Sequence, residues 1–234
     1  MENAYLKGAT LVFDLDGTLV DTAPDLLRTL NHILDTVGCP PRPMDDVRPF
    51  MGLGARRIIT EGLKASGRQV SDAETDALFE KFLGFYSENI AVESRPYPGV
   101  EAVLEVAGAA GARLAICTNK MERLTQILLK ELDLNRHLHG VAGRDTFPVC
   151  KPDPVHLKGA VELAGGALER AVMIGDNATD INTAKAASVP SVAVTFGYSE
   201  ISPAELGADV LIDHYDELLP ALERILMPQS RLSK

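Results

Sequence analysis

The run Leu11-Val12-Phe13-Asp14-Leu15-Asp16-Gly17-Thr18-Leu19 constrains this chain more than any other segment. An apolar stretch with the length of a buried strand ends in two aspartates one residue apart, then Gly-Thr. Carboxylates at the mouth of an apolar strand repel each other and are expensive to desolvate. A chain that carries them there needs something to neutralise them, most simply a divalent metal. The pair therefore points to an active site at the C-terminal edge of a parallel sheet.

The remaining apolar runs supply such a sheet. After a first strand at 9–13, strands are expected at 112–117, 139–142, 171–175, 191–195 and 209–212. Helices are expected near 99–110, 121–132, 154–165, 178–187 and 215–227. Strands alternating with helices imply parallel β-α units with right-handed crossovers. Residues 20–92 read differently. Pro24 sits just inside a helix start marked by Asp21-Thr22, and Leu26, Leu27, Leu30, Ile33, Leu34 and Val37 follow at helical spacing up to Gly38. Pro40, Pro41 and Pro43 break the chain, and a second helix is expected near Gly54, carrying Ile58, Ile59 and Leu63. Ser71-Asp72-Ala73-Glu74 opens a third as a capping box. No strand is expected there, and Arg95-Pro96-Tyr97-Pro98-Gly99 reads as a hinge. The expected fold is α/β, with a Rossmann-like parallel-sheet core (1–18 and 95–234) and an inserted all-helical segment (19–94).

Charge and cysteines narrow the class. A net charge of −10 disfavours a nucleic-acid surface, which selects excess Lys and Arg. Cys39, Cys117 and Cys150 have no CxxC spacing, so neither a disulfide framework nor a zinc site is expected. The opening MENAYLKG has no apolar leader core, and no window reaches the apolar length of a membrane span. A cytoplasmic, membrane-free enzyme, monomer or homodimer, is the expectation.

Polar groups gather at four strand ends: Asp14 to Thr18, Thr118-Asn119, Lys151, and Gly175-Asp176-Asn177-Ala178-Thr179-Asp180. A parallel sheet projects all four from one edge. Carboxylates, one lysine, and hydroxyl and amide donors suit a hard divalent cation with oxygen ligands and a phosphate. Taken singly, each has an ordinary reading: Thr118-Asn119 as a helix cap, Lys151 as a surface lysine, Asp180 as a first-turn acid favoured by the helix dipole.

Together these segments resemble the four motifs of the haloacid dehalogenase superfamily, with the helical insertion where that family carries its C1 cap. DxDGT matches Asp14 to Thr18, the motif-two Thr matches Thr118, the motif-three Lys matches Lys151, and GDxxxD matches Asp176 and Asp180. Asn177 stands where relatives often have Ser. The run from Asp14 to Leu26, Lys151-Pro152-Asp153-Pro154 and Thr195-Phe196-Gly197-Tyr198 resemble most the branch that hydrolyses 2-phosphoglycolate. The resemblance implies a small phosphorylated metabolite as substrate and Mg²⁺ as cofactor. It implies Asp14 as nucleophile, Asp16 as acid and base, and Thr118 and Lys151 as catalytic partners of the phosphoryl group. Asn119 and the chain near Gly17 and Thr18 would bind phosphoryl oxygens. Asp14, the Asp16 main-chain carbonyl and Asp176 would hold the metal, with Asp180 and Asn177 behind them. The dehalogenases of the superfamily lack the second Asp, because halide leaves without a proton. A sugar phosphomutase, a pyrophosphatase or a nucleotidase of the same superfamily stays open here, and so does an unrelated phospho-receiver module, which the helical insertion disfavours.

In the insertion, Arg48, Arg56 and Arg57 flank Phe50-Met51-Gly52-Leu53-Gly54. The resemblance places this loop over the site, with Gly52 and Arg56 first among the candidate substrate contacts. An arginine there suits the non-reacting anionic end of a substrate. The five histidines show no metal-ligand spacing and receive no role, and Cys117 and Cys150 are read as packing.

Overall fold

The structure, a computed structural model, describes residues 3–227; Met1 and Glu2, part of the segment read for a leader, lie outside it. In chain order it runs β1 (Thr10–Phe13), β2 (Val20–Asp21), α1 (Ala23–Thr36), α2 (Met44–Val47), α3 (Ala55–Ala65), α4 (Asp72–Glu88) and β3 (Arg95–Pro96). It continues with α5 (Val100–Ala109), β4 (Arg113–Cys117), α6 (Glu122–Glu131), β5 (Gly140–Ala142), α7 (Pro154–Leu163), β6 (Ala171–Gly175), α8 (Ala178–Ala187), β7 (Ser191–Val194), β8 (Val210–Ile212) and α9 (Leu218–Leu226).

Six strands form one parallel sheet in the order β5-β4-β1-β6-β7-β8. Thr10–Phe13 pair with Arg113–Ile116 on one side and Ala171–Ile174 on the other. Burial on both faces explains why β1 reads as a continuous apolar run. Leu11 and Phe13 pack into one core cluster and Val12 into another. The chain winds outward through β4 and β5, then returns to the other side of β1. That reversal opens a crevice beyond the strand ends at β1, where Asp14 begins the loop.

α1 to α4 follow one another between β2 and β3. Their inward residues, including Leu30, Ile33, Ile59, Leu63, Leu78 and Phe82, join the same core cluster as Leu11 and Phe13. Ser71 caps α4 as read, accepting from the Glu74 N–H at 3.3 Å.

Three expectations need correction. Val20–Asp21, inside the stretch read as strand-free, pairs antiparallel with Arg95–Pro96. Two residues are too few for a periodic signal. The proline-broken stretch contains α2 and a 3₁₀ turn at Arg48–Leu53, and the last expected helix begins as a 3₁₀ turn at Tyr215–Glu217. Among the described residues no helix is long and apolar enough to cross a membrane.

Candidate active site

The site is assembled beyond the C-terminal ends of β1, β4, β5 and β6, with Lys151 in the loop that follows β5. The loop after β1 closes tightly, with Gly17 N–H donating to the Val20 carbonyl at 2.9 Å and Gly17 at φ +81°. A side chain on Gly17 would put its Cβ 2.5 Å from Asp176 Oδ2, so the glycine admits the motif-four carboxylate as well as the turn.

Lys151 Nζ lies 2.9 Å from Asp14 Oδ1 and 2.6 Å from Asp180 Oδ1, and all three side chains are buried. Burial alone would lower the lysine's pKa, but Asp14 and Asp180 more than reverse this and hold it charged. Burial first, and Asp180 second, push the Asp14 carboxyl up to about 6. Burial and the Asp180 and Asp14 charges raise Asp176 as well.

Each carboxylate has a distinct environment. Asp180 Oδ2 accepts the N–H groups of Asp176 (3.1 Å) and Asn177 (3.3 Å), while Asn177 caps α8 through Thr179 N–H at 2.9 Å. The spacing of GDxxxD is thus a capping box that turns Asp180 toward Lys151. Asp176 accepts Tyr198 N–H on Oδ2 (2.7 Å) and the Asn177 amide on Oδ1 (2.9 Å). Asp16 Oδ1 pairs with Lys120 Nζ at 2.9 Å.

Carboxylate oxygens of Asp14, Asp176 and Asp180 come within 4.8 Å of one another. Four buried or half-buried carboxylates face two ammonium groups, Lys120 and Lys151, so the cluster carries excess negative charge. Asp14 Oδ1 receives no hydrogen bond despite its ion pair. An all-oxygen donor set with uncompensated charge fits a hard divalent cation.

Thr118 and Asn119 follow β4. Thr118 is buried and its hydroxyl accepts Lys120 N–H at 3.2 Å, while the Asn119 amide donates to the Lys151 carbonyl at 3.0 Å and ties the two loops together. Asp14, Asp16, Thr118, Asn119 and Lys151 all line one cavity of about 560 Å³. Gly17 and Thr18 do not line it: the Gly17 N–H is used in the turn, and the buried Thr18 hydroxyl faces Asp176 Oδ1 at 3.5 Å. Their place is behind the metal-ligand candidates rather than on a substrate.

The far wall comes from the helices, with Met51, Phe79, Phe82 and Tyr86 among its residues. Gly52 lines the cavity, and a Cβ there would lie 3.6 Å from the Asn177 amide. Arg56 lines it too, stacked 4.4 Å from the Phe79 ring centroid and paired with Asp76. Arg57 pairs with Glu61 at 3.2 Å, and Arg48 sits 5.4 Å from the Tyr198 ring centroid.

Three residues escaped the sequence reading. Buried His156 accepts Lys151 N–H on Nδ1 (3.1 Å) and reaches the Gly143 carbonyl through Nε2 (2.9 Å), bracing the lysine loop. Burial lowers its pKa, in keeping with a neutral ring. The Tyr198 hydroxyl accepts the N–H groups of Thr22 (2.8 Å) and Ala23 (2.9 Å), and so does the work of a helix cap for α1. Lys120 joins Asp16 to Tyr86. Its signal was adjacency: it stands two residues past Thr118 in the same loop. His137 lies in a 3₁₀ turn.

A six-stranded parallel sheet with carboxylates and a buried lysine gathered at its switch point fits a hydrolase of the α/β class. The chain belongs to the haloacid dehalogenase-like hydrolase family, whose model matches residues 11–194. It is 46% identical over 210 residues to a phosphoglycolate phosphatase of Caulobacter vibrioides, covering 90% of this chain and 89% of that one. With a phosphoglycolate phosphatase of Agrobacterium fabrum it shares 44% identity over 211 residues, 90% of this chain and 91% of the relative. A Haemophilus somnus structure described as a predicted phosphoglycolate phosphatase superposes with a TM-score of 0.84 at 28% identity, covering 92% of this chain and 98% of that one.

Proposed function

We propose that this enzyme hydrolyses 2-phosphoglycolate to glycolate and phosphate through an aspartyl-phosphate on Asp14. The observation that carries the chemistry is that Asp14 and Asp16 open on the same cavity as Thr118 and Lys151. The names of the relatives supply the substrate.

Asp14 attacks phosphorus in line with the leaving oxygen. Asp16 protonates that oxygen as the bond breaks, then takes a proton from the water that attacks the aspartyl-phosphate. Lys151, held between Asp14 and Asp180, offsets negative charge on the nucleophile and the phosphoryl oxygens. The Thr118 hydroxyl, with Asn119 beside it, donates to those oxygens. Mg²⁺ would be held by Asp14, the Asp16 carbonyl and Asp176, with Asp180 and Asn177 orienting them. When bound, it supplies electrostatic stabilisation of the phosphoryl group. Residues 19–94 act as a cap whose apolar wall excludes water from the phosphoenzyme, and Gly52 and Arg56 lie at its substrate-facing rim.

The test is steady-state phosphate release with Mg²⁺ on 2-phosphoglycolate, hexose phosphates, nucleotides and pyrophosphate, for the wild type and Asp14→Asn. A preference for 2-phosphoglycolate, lost by at least about 10³-fold in the variant, is expected. Isomerisation of a hexose phosphate without phosphate release would overturn the hydrolase reading. A preference for another ester would overturn the substrate.

A further inference from the structure

We propose that Lys120 is the specificity residue that binds a carboxylate on the carbon next to the ester oxygen of the substrate. This rests on the hydrolase reading above and names the residue that selects within it.

The backbone of Lys120 is fixed on both sides. Its N–H donates to the Thr118 hydroxyl at 3.2 Å, and its carbonyl accepts Arg144 N–H at 2.9 Å. The side chain is only 6% exposed, and its ammonium lies 2.9 Å from Asp16 Oδ1 and 2.8 Å from the Tyr86 hydroxyl. An ammonium has three N–H donors. Two are accounted for, and the residue lines the cavity, so one donor remains for a group inside it.

The position of that donor decides what it can meet. Asp16 must come within about 2.6–3.2 Å of the ester oxygen it protonates. Lys120 Nζ, touching Asp16, is therefore close to the leaving-group side, whereas Lys151 stands at Asp14 on the phosphoryl side. In a 2-phospho-carboxylate, the carboxyl carbon is bonded to the carbon bearing the ester oxygen. Its carboxylate falls within reach of Lys120 whenever the ester oxygen is within reach of Asp16. A hexose phosphate places only carbons bearing neutral hydroxyl or ring oxygens there.

The other cations on the cavity are poorer candidates. Arg56 is paired with Asp76 and Arg57 with Glu61, and both are more than half exposed. Arg144 is exposed as well. Exposed charges are screened and discriminate little, whereas a buried ammonium left facing a missing carboxylate penalises the wrong substrate. Tyr86 comes from α4, so the carboxylate pocket is completed only by the helical segment.

The experiment compares kcat/KM on 2-phosphoglycolate and ethyl phosphate, which carries a methyl group in place of the carboxylate. Wild type, Lys120→Met and Lys120→Arg are measured. Because both substrates are tested on one preparation, the ratio is independent of the folded fraction. Lys120→Met should lose roughly 10- to 100-fold more on 2-phosphoglycolate than on ethyl phosphate, mainly in KM, and Lys120→Arg should recover part of that difference. A variant that keeps the wild-type preference, losing equally on both substrates, would show that Lys120 serves Asp16 alone and would overturn the proposal. A wild type with Mg²⁺-dependent activity but no preference for the carboxylate ester would overturn the substrate reading, and the proposal with it.

Discussion

The main-chain N–H of Tyr198 holds Asp176 at 2.7 Å, while the phenol of the same residue holds the start of α1. One residue, through its main chain and its side chain, thereby links a metal-ligand candidate to the point where the chain enters the helical segment. Tyr198→Phe removes the acceptor for the Thr22 and Ala23 N–H groups but keeps the bond to Asp176. The expected outcome is a loss of about 1–3 kcal/mol, read as a Tm lower by about 2–4 °C per kcal/mol, with kcat on 2-phosphoglycolate falling less than about tenfold. Thermal melts and steady-state kinetics on one preparation check both.

Gly17→Ala forces a Cβ toward Asp176 at a residue with φ +81°. Displacing the carboxylate should raise the Mg²⁺ concentration for half-maximal activity by about 10- to 100-fold, the usual cost of disturbing a ligand's surroundings. A Mg²⁺ titration of phosphate release measures it; an unchanged midpoint would mean that Asp176 does not hold the ion.

The cluster also sets a pH dependence for the metal-free protein. Asp14 ionises near 6 in the fold against 3.8 unfolded, and Asp176 is shifted the same way. Such groups contribute stability below their unfolded pKa and lose it as pH rises through the folded value. The chelated enzyme should therefore lose the Asp14 contribution between about pH 4 and 6, with the Asp176 contribution lost in the same direction as pH rises. Added Mg²⁺ should raise Tm more at pH 7.5 than at pH 5, and Asp14→Asn should weaken that difference. Calorimetry with and without chelator tests it.

Arg56 is more than half exposed and already paired with Asp76. Arg56→Ala is expected to raise KM for 2-phosphoglycolate only by a few-fold, with kcat unchanged and the effect shrinking in salt. A loss of about 100-fold or more would make Arg56 a principal anchor of the substrate.

Much of this was legible in the chain itself. The strands were readable because a parallel sheet buries both faces, leaving unbroken apolar runs such as Leu11 to Phe13. Asp14, Thr118, Lys151 and Asp176 were readable because each directly follows, or stands in a loop with, such a run. GDxxxD was readable as a motif at a helix start, while the capping box that its spacing forms appears only in the structure. These are short-range signals, written within a few residues of the feature they specify.

Tertiary structure alone decided the rest. Tyr86 is 34 positions from Lys120, and Tyr198 is 176 from Thr22, so no local period connects them. The two-residue pair β2 and β3 exists because the chain leaves and re-enters the core at one place. The turning of Gly17 and Thr18 away from the cavity, and of Lys120 into it, depends on which neighbours satisfy each donor once the elements are packed. Sequence determines which groups stand at the strand ends; packing determines which of them remain free to meet a substrate.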